Sequence, residues 1–191
     1  MILKSDIEKD ARNIIESLKG DYSIPTSSHI ITPVIKSMSV VYFMHFLAYA
    51  SNDFFYNEVG IDFVGQTACF FISCGILTLM ALMMTYGNLS ILMCIPKDVR
   101  NSSLLLKLLR DKLKFYGCIM VVINIVVAVV MVNIGPGFIV FYGFSWFACI
   151  LIGGVILSMS MSRYMTPAVV ATLDKIREVV SSEARGKKLH G

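Results

Sequence analysis

Two long stretches of the chain, Phe63–Pro96 and Phe115–Ser162, contain no Asp, Glu, Lys or Arg. Few folds tolerate this. A soluble domain carries about 25% charged residues, enough to give each surface element a polar face. Here only 16% of residues are charged and 56% are apolar, and the apolar ones form unbroken blocks. A chain patterned this way is expected to be an integral membrane protein built from helices, because only elements that close their own backbone hydrogen bonds can cross a bilayer. The run of 48 residues from Phe115 to Ser162 is interrupted by Gly135-Pro136-Gly137. It fits two crossings of roughly 20 residues joined by a tight turn.

The uncharged blocks predict four transmembrane helices, over about 34–50, 63–86, 115–134 and 138–162. Residues 1–33 and 163–191 flank this membrane domain. The first span is short, with Lys36 and Asp53 at its ends, and the long Lys36 stem can snorkel to the headgroups to restore its reach. The run after Tyr86 is too long for one crossing and too short for two. Gly87-Asn88 is the natural break, with Leu89–Ile95 leaving the membrane as an interfacial or packed segment.

Charge placement predicts orientation. All 17 Lys and Arg fall within residues 4–36, 97–114 and 163–188. The loop Ser51–Asp62 holds Asp53, Glu58 and Asp62 and no base, with Phe54, Phe55 and Tyr56 as aromatics at headgroup level. By the positive-inside rule both termini are cytoplasmic and this loop faces out. The fold class expected is therefore an all-α, polytopic inner-membrane protein, N-in/C-in, with amphipathic cytoplasmic helices.

Those helices are legible as stripes. Residues 5–19 place Ile7, Ala11, Ile14, Ile15 and Leu18 on one face. Ser5-Asp6-Ile7-Glu8 fits a capping box, and Gly20 fits a helix stop. Its acidic residues exclude a signal peptide, and its apolar face suits a membrane surface or a partner. Residues 20–33 read as a loop, with Pro25 and Pro33 as breakers. Lys97–Lys114, KDVRNSSLLLKLLRDKLK, reads as one interfacial helix, a partner helix being the alternative occupant of its apolar face. Leu105, Leu106, Leu108, Leu109 and Leu113 form its apolar side, while Lys107, Arg110 and Lys114 face lipid headgroups and Lys112 intrudes at the edge of the leucines. Thr166-Pro167 starts a further helix, with Thr as cap and Pro in the first turn. Its stripe of Val169, Leu173, Ile176 and Val180 is expected to dock onto the other cytoplasmic helices. The basic tail RGKKLHG follows, with His190 incidental.

Polar residues inside the spans are few. His45 lies mid-span with no intramembrane carboxylate to pair it; a neutral imidazole hydrogen-bonded across a helix interface is expected, a proton or ligand site being the alternative. Asn124 and Asn133 need interhelical partners, and Ser145, Cys149 and Gly153 make a small-residue stripe for close packing, within the chain or against a second copy. The five cysteines sit in or beside apolar runs and read as packing residues.

The chemistry of an enzyme is missing. The sequence has no nucleophile elbow, HExxH, Walker lysine or paired membrane carboxylates. No catalytic residue, metal set or cofactor is expected. Basic residues without interleaved aromatics do not suit nucleic acid. The remaining classes are an interaction protein, an accessory subunit of a membrane complex, and a small oligomeric channel or pore.

The N-terminal helix DIEKDARNIIESLKG, the loop GDYSIP, and a first span that begins within ten residues resemble the TraS entry-exclusion proteins of F-like conjugative plasmids. The likeness covers about the first 45 residues, and beyond them only the architecture is similar. The resemblance implies a non-enzymatic protein of the recipient's inner membrane. It would block redundant DNA transfer by recognising a TraG-like protein of the donor's mating apparatus. The outer loop would then carry recognition through Asp53, Phe55, Tyr56, Glu58 and Asp62. The bilayer is the other partner, with homo-oligomers open.

Overall fold

The computed structural model describes residues 3–18, 25–56, 63–135, 137–167, 169–171, 174 and 178. Every regular element among them is helical: α1 (Lys4–Leu18), α2 (Ser27–Tyr56), α3 (Phe63–Cys94), α4 (Lys97–Ser102), α5 (Leu104–Ile134), a 3-10 turn at Phe138–Phe141 and α6 (Tyr142–Ser162). α2, α3, α5 and the stretch Phe138–Ser162 are each long and apolar enough to cross a membrane. Their exposed faces are aliphatic and aromatic. Val64, Phe71, Ile76, Leu79 and Met83 of α3 and Val122, Val126 and Val129 of α5 are all more than half exposed. A soluble protein rarely shows apolar patches of that extent, whereas acyl chains solvate them. The chain reads as a multi-pass membrane protein.

The helices run longer than the apolar blocks suggest, and local chemistry explains each end. α2 begins at Ser27 and contains Pro33, so Pro33 is no breaker and residues 27–33 are no loop. In the second turn a proline removes one backbone donor, a loss that membrane helices tolerate. The far end of α2 extends to Tyr56, which turns half of the expected Ser51–Asp62 loop into helix. α3 passes through Gly87-Asn88 without a break and stops at Cys94. The true stop is Pro96, which disfavours helical geometry in the residue before it.

The basic segment 97–114 is not one helix. Its chain breaks at Ser103, which is extended (φ −62°, ψ 125°), and 104–114 belongs to the same 31-residue helix as the third span. At 1.5 Å per residue α5 is roughly 46 Å long, against about 30 Å of hydrocarbon. The surplus is the basic end. Asn101-Ser102-Ser103 carried this break, since such side chains favour caps over helix interiors.

Two compact units divide the residues. The first comprises 1–30, 86–114 and 157–191. Here Ile14 is buried with Cys94 and Ile95, and Ile7 and Ala11 are buried with Leu105 and Val169. Ile7, Ala11 and Ile14 of the α1 stripe are thus spent inside the protein, on α5 and its neighbours. Asp10 fixes the docking. Its Oδ2 accepts from Ser103 Oγ at 2.7 Å and from the Leu105 amide at 2.9 Å, so α1 places a carboxylate at the positive end of α5. Ser103 Oγ also accepts from the Leu106 amide at 3.2 Å, a normal N-cap. The expected capping box at Ser5 is absent. Leu3 O accepts from the amides of Asp6 and Ile7, Ser5 lies inside the first turn, and Glu8 pairs with Lys4 at 3.8 Å.

Thr166 caps the segment that follows, its Oγ1 accepting from the Val169 amide at 3.4 Å. Val169 is fully buried, which docks the start of that stripe as expected. Gly20, Leu173, Ile176, Val180 and the basic tail with His190 lie outside the described residues.

The second unit comprises 31–85 and 115–156. All four membrane helices meet in it. α2 contributes one buried face, Val34, Met38, Val41, His45, Ala48 and Asn52, at alternating spacings of four and three. That is a heptad seam, the pattern by which a helix keeps one side on its neighbours. α5 and α6 form a hairpin whose turn needs glycine at Gly135 (φ 149°) and Gly137 (φ 108°), where a side chain would be strained.

Candidate functional site

The seam of α2 carries polar groups at two of its positions, one heptad apart, and around them lies the most unusual chemistry of the second unit. His45 is fully buried. Its Nδ1 lies 3.2 Å from Val41 O on its own helix. A carbonyl only accepts, so Nδ1 carries the hydrogen and Nε2 presents a bare lone pair. That Nε2 has no hydrogen-bond partner among the described residues. The imidazole is therefore not bonded across a helix interface as expected. It is instead enclosed by rings: Tyr142 at 4.8 Å between centroids, and Phe70 and Trp146 each at 6.4 Å.

One turn further along α2 sits Tyr49, buried against Phe70 at 5.6 Å, its hydroxyl also without a partner among the described residues. Two turns along, Asn52 Nδ2 donates to Gln66 Oε1 at 3.4 Å. The other ends of both carboxamides, Asn52 Oδ1 and Gln66 Nε2, have no partner among the described residues. Unpaired buried polar atoms are rare because each forfeits its hydration for nothing. A row of them on one helix face is rarer.

Beside this row the packing is close. A Cβ built on Gly143 of α6 would lie 2.6 Å from Ser73 Oγ and 2.9 Å from Ser73 Cβ on α3, and 3.8 Å from His45 Nε2. Only glycine lets α6 approach α3 here. Behind Tyr142, the phenol donates to Asn124 O at 3.2 Å, and Ser145 Oγ donates to Asn124 Oδ1 at 2.8 Å. Asn124 thus has the interhelical partner expected of it. Asn133 does not: its Nδ2 donates to Val129 O on its own helix at 2.7 Å, on the exposed side. The Ser145–Cys149–Gly153 stripe packs within the chain at two points, since Gly153 faces Met120 of α5.

The residues expected to meet a partner fall at the Tyr56 end of α2. Phe54 and Phe55 are 82% and 68% exposed, and Asp53 beside them is half-buried. Tyr56 is anchored, its hydroxyl donating to Val132 O on α5 at 2.8 Å, which ties the ends of the two helices together. Glu58 and Asp62 lie outside the described residues.

Of the basic residues assigned to the membrane surface, Lys107, Arg110 and Lys114 are exposed. Lys112 differs. Its ammonium meets Ser160 Oγ and lies 5.6 Å above the Tyr164 ring. This bonding explains why a lysine intrudes among the leucines. Among the described residues no three His, Cys, Asp or Glu side chains converge to hold a metal.

Tyr49, Asn52, Gln66, Tyr142 and Trp146 are not singled out by the sequence. The i, i+7 spacing of His45 and Asn52 within the stripe Val34, Met38, Val41, Ala48 was the available signal. Compared with known proteins, the chain matches no family model, no curated protein and no solved structure.

Proposed function

We propose that the chain is a non-enzymatic inner-membrane protein, with both termini cytoplasmic, that works by recognising another protein, and that its role is entry exclusion in the recipient cell during conjugation. The observation that carries recognition is the Tyr56 end of α2. Two adjacent aromatics, Phe54 and Phe55, stand exposed beside Asp53. The tie from Tyr56 to Val132 holds that end in place. A rigid, exposed aromatic pair next to an acidic group suits protein recognition, in which aromatic anchors dominate the energetics. The likeness of the first 45 residues to TraS-like proteins supplies the biological context. A TraG-like protein of the donor's mating apparatus is the partner this reading requires.

α1 supports a role in fixing the cytoplasmic end rather than in binding, since Ile7, Ala11 and Ile14 of its stripe are already covered. On this reading Lys107, Arg110 and Lys114 meet anionic headgroups, each worth about 1 kcal/mol near the surface.

The test is a mating assay. The chain is expressed alone in recipient cells, and transfer is counted from donors carrying a panel of F-like plasmids and one unrelated conjugative system. A drop confined to one F-like plasmid type is expected, weakened by the double substitution Phe54→Ser and Phe55→Ser. Undiminished transfer across the panel, with the protein present in the inner membrane, refutes the exclusion role.

A further inference from the structure

We infer that His45 Nε2 is a proton-binding site inside the membrane domain, reached from the Tyr56 end of α2 along Tyr49, Asn52 and Gln66. Three independent features of the second unit point to it. The first is the lone pair itself. With Nδ1–H directed to Val41 O, Nε2 is the basic nitrogen of a neutral imidazole, fully buried and without a donor among the described residues. A packing histidine would be expected to spend both nitrogens.

The second feature is the enclosure. Tyr142, at 4.8 Å between centroids, is close enough for its ring to attract an imidazolium, more so when desolvated. Trp146 and Phe70, each at 6.4 Å, complete an uncharged enclosure. The groups that surround His45 carry no charge: Phe70 on α3, Tyr142 and Trp146 on α6, and Ser73 of α3 beside Gly143.

The third feature is the row. His45, Tyr49 and Asn52 stand at i, i+4 and i+7 on one helix face, about 10 Å along the axis. Each carries an unpartnered polar atom, and Gln66 Nε2 adds another across the interface. A phenol and two carboxamides can each pass or orient a proton without becoming charged. Half-buried Asp53 lies next in the chain, near the Tyr56 end of α2. The chemistry balances simply: one proton leaves water, Nε2 takes it, and Nδ1–H is retained. A protein of this class with such a site senses acidity at one membrane face, whether or not it acts in conjugation.

The full-length protein, reconstituted in nanodiscs, provides the test. The chain has three histidines and one tryptophan. Replacing His29 and His190 with Gln leaves His45 as the sole imidazole, and Trp146 reports on it by fluorescence, because an imidazolium quenches a neighbouring indole. Nitrogen-15 NMR of labelled His45 is expected to show the Nδ1–H tautomer at about pH 8, becoming the doubly protonated ring on acidification. Trp146 emission should fall over the same titration and lose that fall in His45→Gln. After a rapid pH drop, Tyr49→Phe and Asn52→Leu should each slow the fluorescence change at least about a hundredfold, the lower scale of losing one proton-transfer group, with the end point unchanged. A His45 ring that stays neutral while the protein remains folded overturns the site. Unslowed kinetics in both variants overturn the route.

Discussion

Gly143→Ala is expected to destabilise the membrane domain by about 1–3 kcal/mol, the usual cost of overfilling a packed interior. The cause is one contact that cannot relax. The new methyl would meet Ser73 Oγ at 2.6 Å, which a rotamer change removes, and Ser73 Cβ at 2.9 Å, which no rotamer moves. α6 must therefore part from α3. Ser73→Ala keeps the Cβ and should give no rescue, whereas Ser73→Gly in the double variant should restore most of the loss. Gly153→Ala is the control. Its neighbour, at the same 2.9 Å, is the sulfur of Met120, the end of a flexible chain that repacks at low cost. Detergent unfolding curves of the five proteins check the set. Equal destabilisation at Gly143 and Gly153 would contradict the assigned contact.

The second large effect is expected at Ile14→Asp. Ile14 is 3% exposed, buried with Cys94 and Ile95 and flanked by Ile91, Leu92, Val99 and Leu106. A carboxylate there has no partner to offset its desolvation, a penalty of several kcal/mol, and undocking α1 relieves it. Undocking exposes Ile7 and Ala11 and withdraws Asp10 from the start of α5. Trypsin should then cut at Lys9 and Arg12 at least about tenfold faster, since local opening governs cleavage. Glu16→Ala, at an exposed position, should leave the rate unchanged. Equal cleavage rates in Ile14→Asp and Glu16→Ala would contradict the assigned docking of α1.

Membrane character was legible because hydrocarbon imposes a coarse rule, the removal of charge over a whole span. Phe138–Ser162 follows that rule and matches the expected fourth span closely. Ends were harder to read because headgroup-level chemistry is permissive. Pro33 is accommodated within α2, Gly87-Asn88 passes as ordinary helix, and the basic residues from Lys107 to Lys114 extend α5 instead of forming their own helix. Those cases turn on tertiary support and caps, not hydropathy. Asp10 is the clearest example: a residue on the polar side of α1, more than ninety positions from Ser103 in sequence, whose role exists only once α1 docks.

The polar row was half visible. His45 stood out as an ionisable group in an apolar run. Asn52 was hidden because it fell where the loop was expected to begin, and Tyr49 and Tyr142 read as ordinary membrane aromatics. Pairing of Asn52 with Gln66 depends on the register between α2 and α3, which one sequence does not encode locally.

The proposed recognition surface has one premise, that the Tyr56 end of α2 faces out while the basic ends face in. Labelling with a membrane-impermeant maleimide tests it directly. Phe55→Cys and Lys107→Cys replace exposed side chains, and the unsubstituted chain serves as the background for its own five cysteines. In spheroplasts Phe55→Cys should label at once, and Lys107→Cys only after the membrane is permeabilised. Labelling of Lys107→Cys from outside, with Phe55→Cys protected until permeabilisation, would invert the protein and contradict the proposed function.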